Sequence, residues 1–269
     1  MTMPLDLVLV RHGESEGNVA FGLSRHGDNS HYTPEFLTRH NSKWRLTDQG
    51  RQQAAAAGAW LRAEVSPAFD RCYVSEYVRA LETAAHLRFA DAVWYREFYL
   101  RERDWGALDL LTFQERRDRY GEDLKRRELD TFFWTPPNGE SMATLCLRID
   151  RVLTTLHREC TDQRVLIVCH GEVMWGFRVR LERMAPERYR LLDQSRDPLD
   201  KIHNCQVLHY TRRDPESGAV AAHLNWMRSV CPWDPKRSSN EWETISRERF
   251  TNEELLKVVA QTPPLRGLG

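Results

Sequence analysis

The stretch that decides the fold is a short apolar run followed by four charged or small residues, Leu5-Asp6-Leu7-Val8-Leu9-Val10-Arg11-His12-Gly13-Glu14. Its first part, Leu5–Val10, is typical of a strand that is buried on both faces of a sheet. A second apolar run, Val165–Cys169, also ends in His-Gly, at His170-Gly171. Ligands of open α/β sheets bind beyond the carboxyl ends of the strands, so we expect the two His-Gly units to meet over one ligand.

Apolar segments alternate with amphipathic segments along the rest of the chain. The predicted strands are Leu5–Val10, Arg71–Ser75, one within 93–99, Val165–Cys169, Gln206–Thr211 and Ala219–Trp226, the last two joined by a hairpin through 214–218. The predicted helices cover about 48–64, 76–89, 142–160 and 173–184, with one more after Thr251. Strands that alternate with helices predict a three-layer α/β/α fold with a mostly parallel central sheet.

No linker divides the sequence, so we expect residues 1–269 to form a single domain. The polar segment 19–45 and the charge-rich segment 100–140 are predicted to be insertions at the rim, the first an irregular surface excursion or lid. Residues 228–269 form a C-terminal extension that contains Trp233 and Trp242. We expect this extension to pack on its own domain, with partner binding or homo-oligomerisation as the alternative.

Composition excludes several classes of function. The 269 residues carry 39 Lys and Arg and 39 Asp and Glu, so zero net charge provides no general attraction to nucleic acid or to an anionic membrane. No apolar run approaches the roughly 18 residues that a membrane helix needs. The six cysteines show no CxxC spacing, which favours a reduced, cytoplasmic protein. Any anion chemistry must therefore come from a local cluster of charge.

Two arginines add such a cluster to the two histidines. Arg11 precedes His12, and Arg79 lies near the start of the helix after the second strand. Guanidinium groups match phosphate geometry through paired donors, and helix N-termini also favour anions. A strand-end histidine taken alone is more often a hydrogen-bonded structural residue, but the combination with His170 predicts an oxyanion pocket.

Six motifs carry a resemblance to a known family. They are Arg11-His12-Gly13-Glu14-Ser15 with Asn18, Leu46-Thr47-Asp48-Gln49-Gly50, Ser75-x-x-x-Arg79-Ala80-x-x-Thr83-Ala84, Leu100-Arg101-Glu102-Arg103-Asp104-Trp105-Gly106, Pro137-Asn138-Gly139-Glu140-Ser141 and Val165–Gly171. In this order they resemble the histidine phosphatase superfamily, also called the phosphoglycerate mutase-like family. The resemblance covers residues 5 to about 211 and implies that family's fold.

The resemblance also implies a role for each matching residue. His12 matches the nucleophile that takes the phosphoryl group as a phosphohistidine, which requires a neutral imidazole with a free lone pair. The rest of the phosphate pocket is matched by Arg11, Asn18, Arg79, His170 and Gly171. Glu102 matches the proton donor to the leaving oxygen, with Glu97, Glu14, Glu16 and Asp104 as rivals in the sequence. The resemblance implies a small phosphorylated substrate and neither a metal nor another cofactor.

The sequence favours hydrolysis over isomerisation. Trp105 and Phe113 stand where the mutase branch has a tyrosine and a lysine, and Arg126-Arg127 lies slightly too close to Glu102 to match the mutases' substrate arginines. The run 130–141 resembles the fructose-2,6-bisphosphatase branch more closely. A phosphatase is therefore our first hypothesis. A cofactor-dependent phosphoglycerate mutase and a non-catalytic regulatory or binding protein on the same fold remain as alternatives.

Two further groups of residues admit other interpretations. Three histidines of the excursion (His26, His31 and His40) have no cysteine or carboxylate spacing that supports a metal site. The basic residues of 116–127 are expected to form mainly a solvated helix face, with contact to an anionic substrate as the alternative.

Overall fold

The computed structural model describes residues 2–265 of the chain, and one seven-stranded sheet runs through them. The strands are β1 (Asp6–Arg11), β2 (Arg71–Val74), β3 (Trp94–Arg96), β4 (Arg164–Cys169), β5 (Val207–Thr211), β6 (Trp226–Val230) and β7 (Glu243–Thr244). Their order across the sheet is β3-β2-β4-β1-β5-β6-β7. Strands β1 to β4 are parallel, whereas β5, β6 and β7 each pair antiparallel with their neighbours. The predicted mostly parallel sheet is confirmed.

Nine α-helices within the described residues surround this sheet. They are α1 (Glu16–Ser24), α2 (Pro34–Thr38), α3 (Asp48–Glu64), α4 (Val78–His86), α5 (Phe113–Leu129), α6 (Met142–Glu159), α7 (Gly171–Glu182), α8 (Pro186–Gln194) and α9 (Asn252–Ala260). Short 3-10 helices lie at Asn41–Lys43, Phe98–Leu100, Gly106–Leu108, Pro198–Asp200 and Pro235–Arg237. None of these helices is long and apolar enough to cross a membrane.

Alternation along the central strands explains the three layers. Leu7 and Leu9 of β1 join the core beneath α6 and α7, while Val8 and Val10 join a second core beneath α3 and α4. Successive side chains of a strand point to opposite faces, so a strand with a helix layer on each side must be apolar throughout. The predicted α/β/α architecture is confirmed.

The helix starts follow ordinary capping chemistry. The hydroxyl of Thr47 accepts a hydrogen bond from the amide of Gly50 at the start of α3, and Ser141 does the same for Thr144 at the start of α6. Each of these bonds satisfies an amide that has no partner within its own helix. The sequence predicts α3 and α6 to within one residue of their observed ends.

The predicted strand Ala219–Trp226 is wrong. The strand beside β5 is Trp226–Val230, because Thr211 pairs with Trp226 and Val207 pairs with Val230. Residues 219–225 belong instead to the connection, which touches its neighbour through an isolated bridge between Arg213 and Val220. The turn residues of 214–218 therefore indicate correctly that the chain reverses, but they do not mark the start of the next strand.

The excursion 19–45 is also more regular than predicted. It contains most of α1 and all of α2, in addition to the short 3-10 helix. Pro34 occupies the first turn of α2, where its missing amide proton costs nothing, and the Thr33 hydroxyl accepts from the amide of Phe36. Proline and glycine in this segment therefore mark a helix start and turns between short helices.

The first part of the C-terminal extension packs on the domain. Residues 228–230 are the end of β6, so the extension itself begins after this strand. The Trp233 ring nitrogen donates to the carbonyl oxygen of Asn204 over 2.6 Å, and the Trp242 ring lies 4.9 Å from that of His209. Both tryptophans therefore contact the residues that precede the extension, whereas α9 at its far end is exposed throughout.

Candidate active site

The two His-Gly units meet at one edge of the sheet. His12 follows β1 and His170 follows β4, and these neighbouring strands pair in register at Arg11 and Cys169. The two imidazole rings are 5.2 Å apart between centroids and are both buried. The parallel sheet therefore brings together two side chains that are 158 positions apart in sequence.

Hydrogen bonds fix the tautomer of His12. Its Nδ1–H donates to the carbonyl oxygen of Gly13 over 2.7 Å, while its Nε2 accepts from Nε of Arg79 over 3.1 Å. Burial, followed by the charges of Arg79 and Arg11, holds the pKa of His12 well below its usual value. The imidazole is therefore neutral, with its lone pair on Nε2.

A close approach of two backbone segments supports this histidine. A Cβ atom on Gly13 would lie 2.4 Å from the carbonyl oxygen of Gly50, the third residue of α3. The amide of Gly13 also donates to the Thr83 hydroxyl of α4 over 3.0 Å. Only a residue without a side chain fits here, so the loop after β1 is held between α3 and α4.

The charges of both arginines act on both histidines and lower their pKa values. Arg79 lies in the first turn of α4, and besides its bond to His12 it donates through Nη1 to the carbonyl oxygen of Asn41 over 2.8 Å. Arg11 donates through Nη1 to the carbonyl oxygen of Ile202 over 2.7 Å. Its Nε is buried and finds no hydrogen-bond acceptor among residues 2–265.

His170 presents a similar unpaired atom. Its Nε2 forms a 2.7 Å hydrogen bond with the Ser75 hydroxyl, whereas its Nδ1 is buried without a partner in the described part of the chain. Burial, followed by the charge of Arg79, holds the pKa of His170 well below its usual value. An unsatisfied buried donor is costly, and an oxyanion in this pocket would satisfy both Arg11 Nε and a proton on His170 Nδ1.

Asn18 and Gly171 complete the predicted phosphate pocket. The Asn18 side-chain oxygen accepts from the amide of Ser15 and from the Asn204 side chain, both at 3.1 Å, which leaves the Asn18 amide nitrogen for a ligand. Gly171 begins α7, and a Cβ atom there would lie 3.3 Å from Nε of Arg11. Glycine thus lets the guanidinium approach the helix start.

Glu102 is the acidic side chain that reaches this centre. One donor or acceptor atom from each of His12, Glu102 and His170 lies within 4.8 Å of the others. Burial, followed by the negative charge of Glu172, raises the pKa of the Glu102 carboxyl. Its oxygen Oε1 accepts from the amide of Arg103 over 2.9 Å, which fixes its direction.

The four rival acids are engaged elsewhere. Glu97 accepts from the amide of Tyr99, and Asp104 accepts from that of Gly106. In the same way Glu14 accepts from the Thr47 hydroxyl, and Glu16 from the amide of Arg45. None of the four lines the cavity that contains His12 and Glu102.

The three side chains His12, Glu102 and His170 also have the spacing of a metal site. Two guanidinium groups beside them make this centre better suited to an anion than to a cation, because Arg79 donates directly to the nitrogen that would bind a metal ion. Within residues 2–265 no other trio of such side chains is as close together. His26, His31 and His40 are exposed and lie outside this centre.

The site opens into a cavity of about 640 Å³ whose walls come from both rim segments. The two segments touch each other: the Tyr32 hydroxyl donates to the carbonyl oxygen of Leu111 over 3.4 Å, and the Asn41 amide donates to Asp109. Seven cationic side chains line the cavity, against four carboxylates: Arg11, Arg25, Arg79, Arg103, Arg116, Arg127 and Lys201, against Glu102, Asp109, Glu172 and Asp193. A protein of zero net charge thus has one cavity rich in positive charge.

Comparison with known proteins agrees with this geometry. A family model described as "Histidine phosphatase superfamily (branch 1)" matches residues 7–216. The chain belongs to the histidine phosphatase superfamily. The match includes the strands and helices that carry the two histidines and Arg79, as well as both rim segments.

Relatives in this superfamily include both mutases and bisphosphatases. The chain is 31% identical over 206 residues to a 2,3-bisphosphoglycerate-dependent phosphoglycerate mutase of Parvibaculum lavamentivorans, covering 71% of this chain and 86% of the mutase. It is 30% identical over 171 residues to 6-phosphofructo-2-kinase/fructose-2,6-bisphosphatase 3 of Homo sapiens, covering 64% of this chain. That match spans only 28% of the human protein's length.

A solved structure with the same fold is the α-ribazole phosphatase of Shigella flexneri. The two structures agree with a TM-score of 0.59 at 21% sequence identity, over 81% of this chain and 95% of the other. At this identity the similarity supports the fold, but it does not indicate which substrate the chain binds.

Several residues that build the site do not stand out in the sequence. Arg103 is buried and donates to the carbonyl oxygen of Glu140 over 2.7 Å and to the Glu172 carboxylate over 3.3 Å. Ser75 holds His170 through a hydrogen bond, although in the sequence its motif indicates a role only for Arg79. For Glu172, only its position two residues after His170 indicates in the sequence that it lies near the site.

Proposed function

We propose that this member of the superfamily hydrolyses phosphate monoesters through a phosphohistidine on His12. The observation that carries the proposal is the neutral His12 imidazole, whose lone pair on Nε2 accepts from Nε of Arg79 and whose pKa is also lowered by the charge of Arg11. A neutral nucleophile beside positive charge suits attack on a dianionic phosphate. The same pocket holds Glu102, a carboxyl whose pKa is raised by burial.

The first step transfers the phosphoryl group to the enzyme. The Nε2 lone pair of His12 forms a bond to phosphorus while the bond from phosphorus to the ester oxygen breaks. Glu102 gives its proton to that oxygen, which leaves as an alcohol. The guanidinium of Arg79 moves from Nε2 to the phosphate oxygens, where it stabilises the charge that develops during transfer.

The second step returns the enzyme to its starting state. The Glu102 carboxylate takes a proton from water, and the resulting hydroxide attacks phosphorus as the bond to Nε2 breaks. Inorganic phosphate leaves, and Glu102 is protonated again. The hydrogen bond from Nδ1 of His12 to the Gly13 carbonyl keeps the proton on that nitrogen through both steps.

Mutase activity is the second candidate, because the match with the Parvibaculum mutase covers most of that protein. A mutase returns the phosphoryl group to a hydroxyl of a sugar acid, so it must hold that acid in place. Trp105 and Phe113 at the cavity wall stand where the mutase branch has a tyrosine and a lysine, and the loss of these polar side chains favours hydrolysis.

The proposal is tested by steady-state assays of the purified chain. We expect release of inorganic phosphate from p-nitrophenyl phosphate and from a panel of small esters, with loss of activity in His12→Ala. Faster isomerisation of 3-phosphoglycerate than hydrolysis, in the presence of a bisphosphate primer, would favour the mutase. No turnover of any ester would favour a binding protein on this fold.

The six unpaired, buried cysteines support a cytoplasmic location for the proposed enzyme.

A further inference from the structure

Three residues of the phosphate pocket form hydrogen bonds with one short segment of the chain. This segment covers residues 202–206 and leads into β5. Its first carbonyl oxygen accepts from Nη1 of Arg11 over 2.7 Å. The side chain of Asn204 donates to the carbonyl oxygen of His12 and to the side-chain oxygen of Asn18, both over 3.1 Å. The segment therefore orients three groups that would face a bound phosphate.

The backbone of this segment has a conformation that needs support from its surroundings. Cys205 has a φ of +50°, in the left-handed region that a residue with a side chain rarely adopts unless neighbouring structure holds it there. The amide of Cys205 also donates to the carbonyl oxygen of His12 over 3.3 Å. A change in the path of the segment would therefore act directly on the backbone of His12.

The C-terminal extension provides a support from outside. The ring of Trp233 packs against the core that contains Cys205, and its Nε1–H donates to the carbonyl oxygen of Asn204 over 2.6 Å. Arg237 extends the contact, because its Nη1 donates to Nδ1 of His203 over 3.1 Å. Its guanidinium also lies 5.0 Å from the centre of the Trp233 ring. Two side chains of the extension thus hold two consecutive residues of the segment.

This support comes from a part of the chain that the family match does not reach. The matched residues 7–216 include the whole phosphate pocket and the 202–206 segment, whereas Trp233 follows the end of β6. Trp233 is also not among the residues that line the cavity. Any effect of Trp233 on the pocket must therefore pass through the segment.

We propose that Trp233 is a positioning residue for the phosphate pocket and acts through its hydrogen bond to Asn204. The bond fixes the 202–206 segment, and the segment fixes the three pocket residues that it contacts. A pocket whose donors are already in place binds an oxyanion without a cost of rearrangement. This inference rests on the proposed function, since it concerns the pocket that would hold the phosphoryl group.

The test compares two tryptophans of the same extension. Trp233→Phe keeps an aromatic ring but removes the N–H donor. Trp242→Phe is the matched control, because Trp242 is also half-buried but lies against His209, whose strand partner Val8 is roughly 13 Å before His12 along β1. We expect Trp233→Phe to raise the Kd of inorganic phosphate by about 3- to 10-fold, the range for loss of one hydrogen bond. The value of kcat/KM for p-nitrophenyl phosphate should fall by a similar factor, and Trp242→Phe should leave both within twofold.

A second measurement separates positioning from a purely structural role. Coupling is reciprocal, so a bond that affects phosphate binding must itself respond to phosphate. The indole N–H resonance of Trp233, assigned in ¹⁵N NMR spectra by its loss in Trp233→Phe, should shift as inorganic phosphate is added. The resonance of Trp242 should stay in place. Urea unfolding of both variants is the stability control, since lower stability alone does not change the affinity of molecules that remain folded.

The outcomes also separate this inference from the proposed function. An unchanged Kd and kcat/KM in Trp233→Phe, an equal change in Trp242→Phe, or a Trp233 resonance that phosphate does not move overturns the inference. The phosphatase proposal stands in each of these cases if the wild type hydrolyses esters. Weaker phosphate binding in Trp233→Phe supports the inference even if no ester is turned over, a result that contradicts the proposed function. A wild type that neither binds phosphate nor turns over an ester overturns both.

Discussion

Arg79 donates a hydrogen bond from its Nε directly to Nε2 of His12, over 3.1 Å. The guanidinium therefore occupies the position in front of the lone pair where a phosphate would bind, and the same nitrogens can turn to its oxygens. The contact also contributes to the depressed pKa of His12, second only to burial. Arg79 thus adds to the effect of burial in keeping the proposed nucleophile neutral, and it would also provide the charge that a phosphoryl group needs.

Replacing Arg79 should therefore change both kcat and the pKa of His12. We expect Arg79→Gln to lower kcat by roughly 100- to 1000-fold, the range for loss of a donor that stabilises a transition state. Removal of the positive charge should raise the pKa of His12 toward its usual value, which NMR of the imidazole can follow. A His12 titration unchanged in the variant would contradict the electrostatic role of Arg79.

The carboxyl pair in the cavity predicts a pH effect. The charge of Glu172 contributes to the raised pKa of Glu102, and a donor acts only while it is protonated, so kcat should fall as pH rises through that pKa. Glu172→Gln removes the negative charge, which lowers the pKa of Glu102 and moves the alkaline limb of the kcat profile to lower pH. Glu97→Gln, outside the cavity, is the control. If the alkaline limb stays in place or moves to higher pH, Glu102 is not the group whose deprotonation lowers kcat.

The buried histidines predict how stability depends on pH. The pKa values of His12 and His170 are lowered in the folded chain, so below about pH 6.5 the unfolded chain binds protons that the folded chain does not. The free energy of unfolding should therefore decrease as pH falls below that value. His12→Gln should reduce this slope when unfolding is followed by urea titration between pH 7 and 5. An equally steep slope in the variant would argue against a neutral His12.

Two glycines with different surroundings test the packing around the loop that carries His12. Gly13→Ala places a Cβ atom 2.4 Å from the backbone oxygen of Gly50, and we expect a loss of about 2–4 kcal/mol in the free energy of unfolding. Gly22→Ala in α1 meets nothing within 4 Å and should stabilise by about 0.5–1 kcal/mol. Similar effects of the two substitutions would mean that the loop after β1 is not held as described.

The contact between the rim segments predicts an effect on substrate binding. Asn41→Ala removes the side-chain bond to Asp109, which joins the excursion to the segment before α5. We expect KM to rise by about 3- to 10-fold with a smaller change in kcat, because roughly one hydrogen bond that closes the cavity is lost. His26→Ala, at an exposed residue of the same excursion, should leave both constants unchanged. A fall in kcat alone would place Asn41 in the chemistry instead.

Much of the centre could be predicted because a parallel sheet orders it. Once Leu5–Val10 and Val165–Cys169 are read as buried strands, His12 and His170 must lie at the same edge. Arg79 follows because it begins the helix after β2, and β2 pairs with β4. These placements depend only on the direction of the backbone in each strand. The pattern of apolar residues predicts that direction well.

Placements that depend on side-chain direction in the rim could not be predicted in this way. Arg116 and Arg117 are equivalent in sequence, but only the first faces the cavity. The burial of Arg103 depends on the path of the chain around Glu140, which no periodic pattern specifies. The predicted strand boundary near Trp226 is wrong for a similar reason. Pairing with Thr211, and not local composition, determines where β6 begins.

The most direct test of the account is to look for the phosphoryl group on His12. Rapid quench of the enzyme with a ³²P-labelled ester should trap an acid-labile, base-stable phosphoenzyme, and peptide mapping should place the label at His12. His12→Ala should carry none. Absence of the phosphoenzyme in wild type during rapid turnover, or its persistence in His12→Ala, would contradict the mechanism.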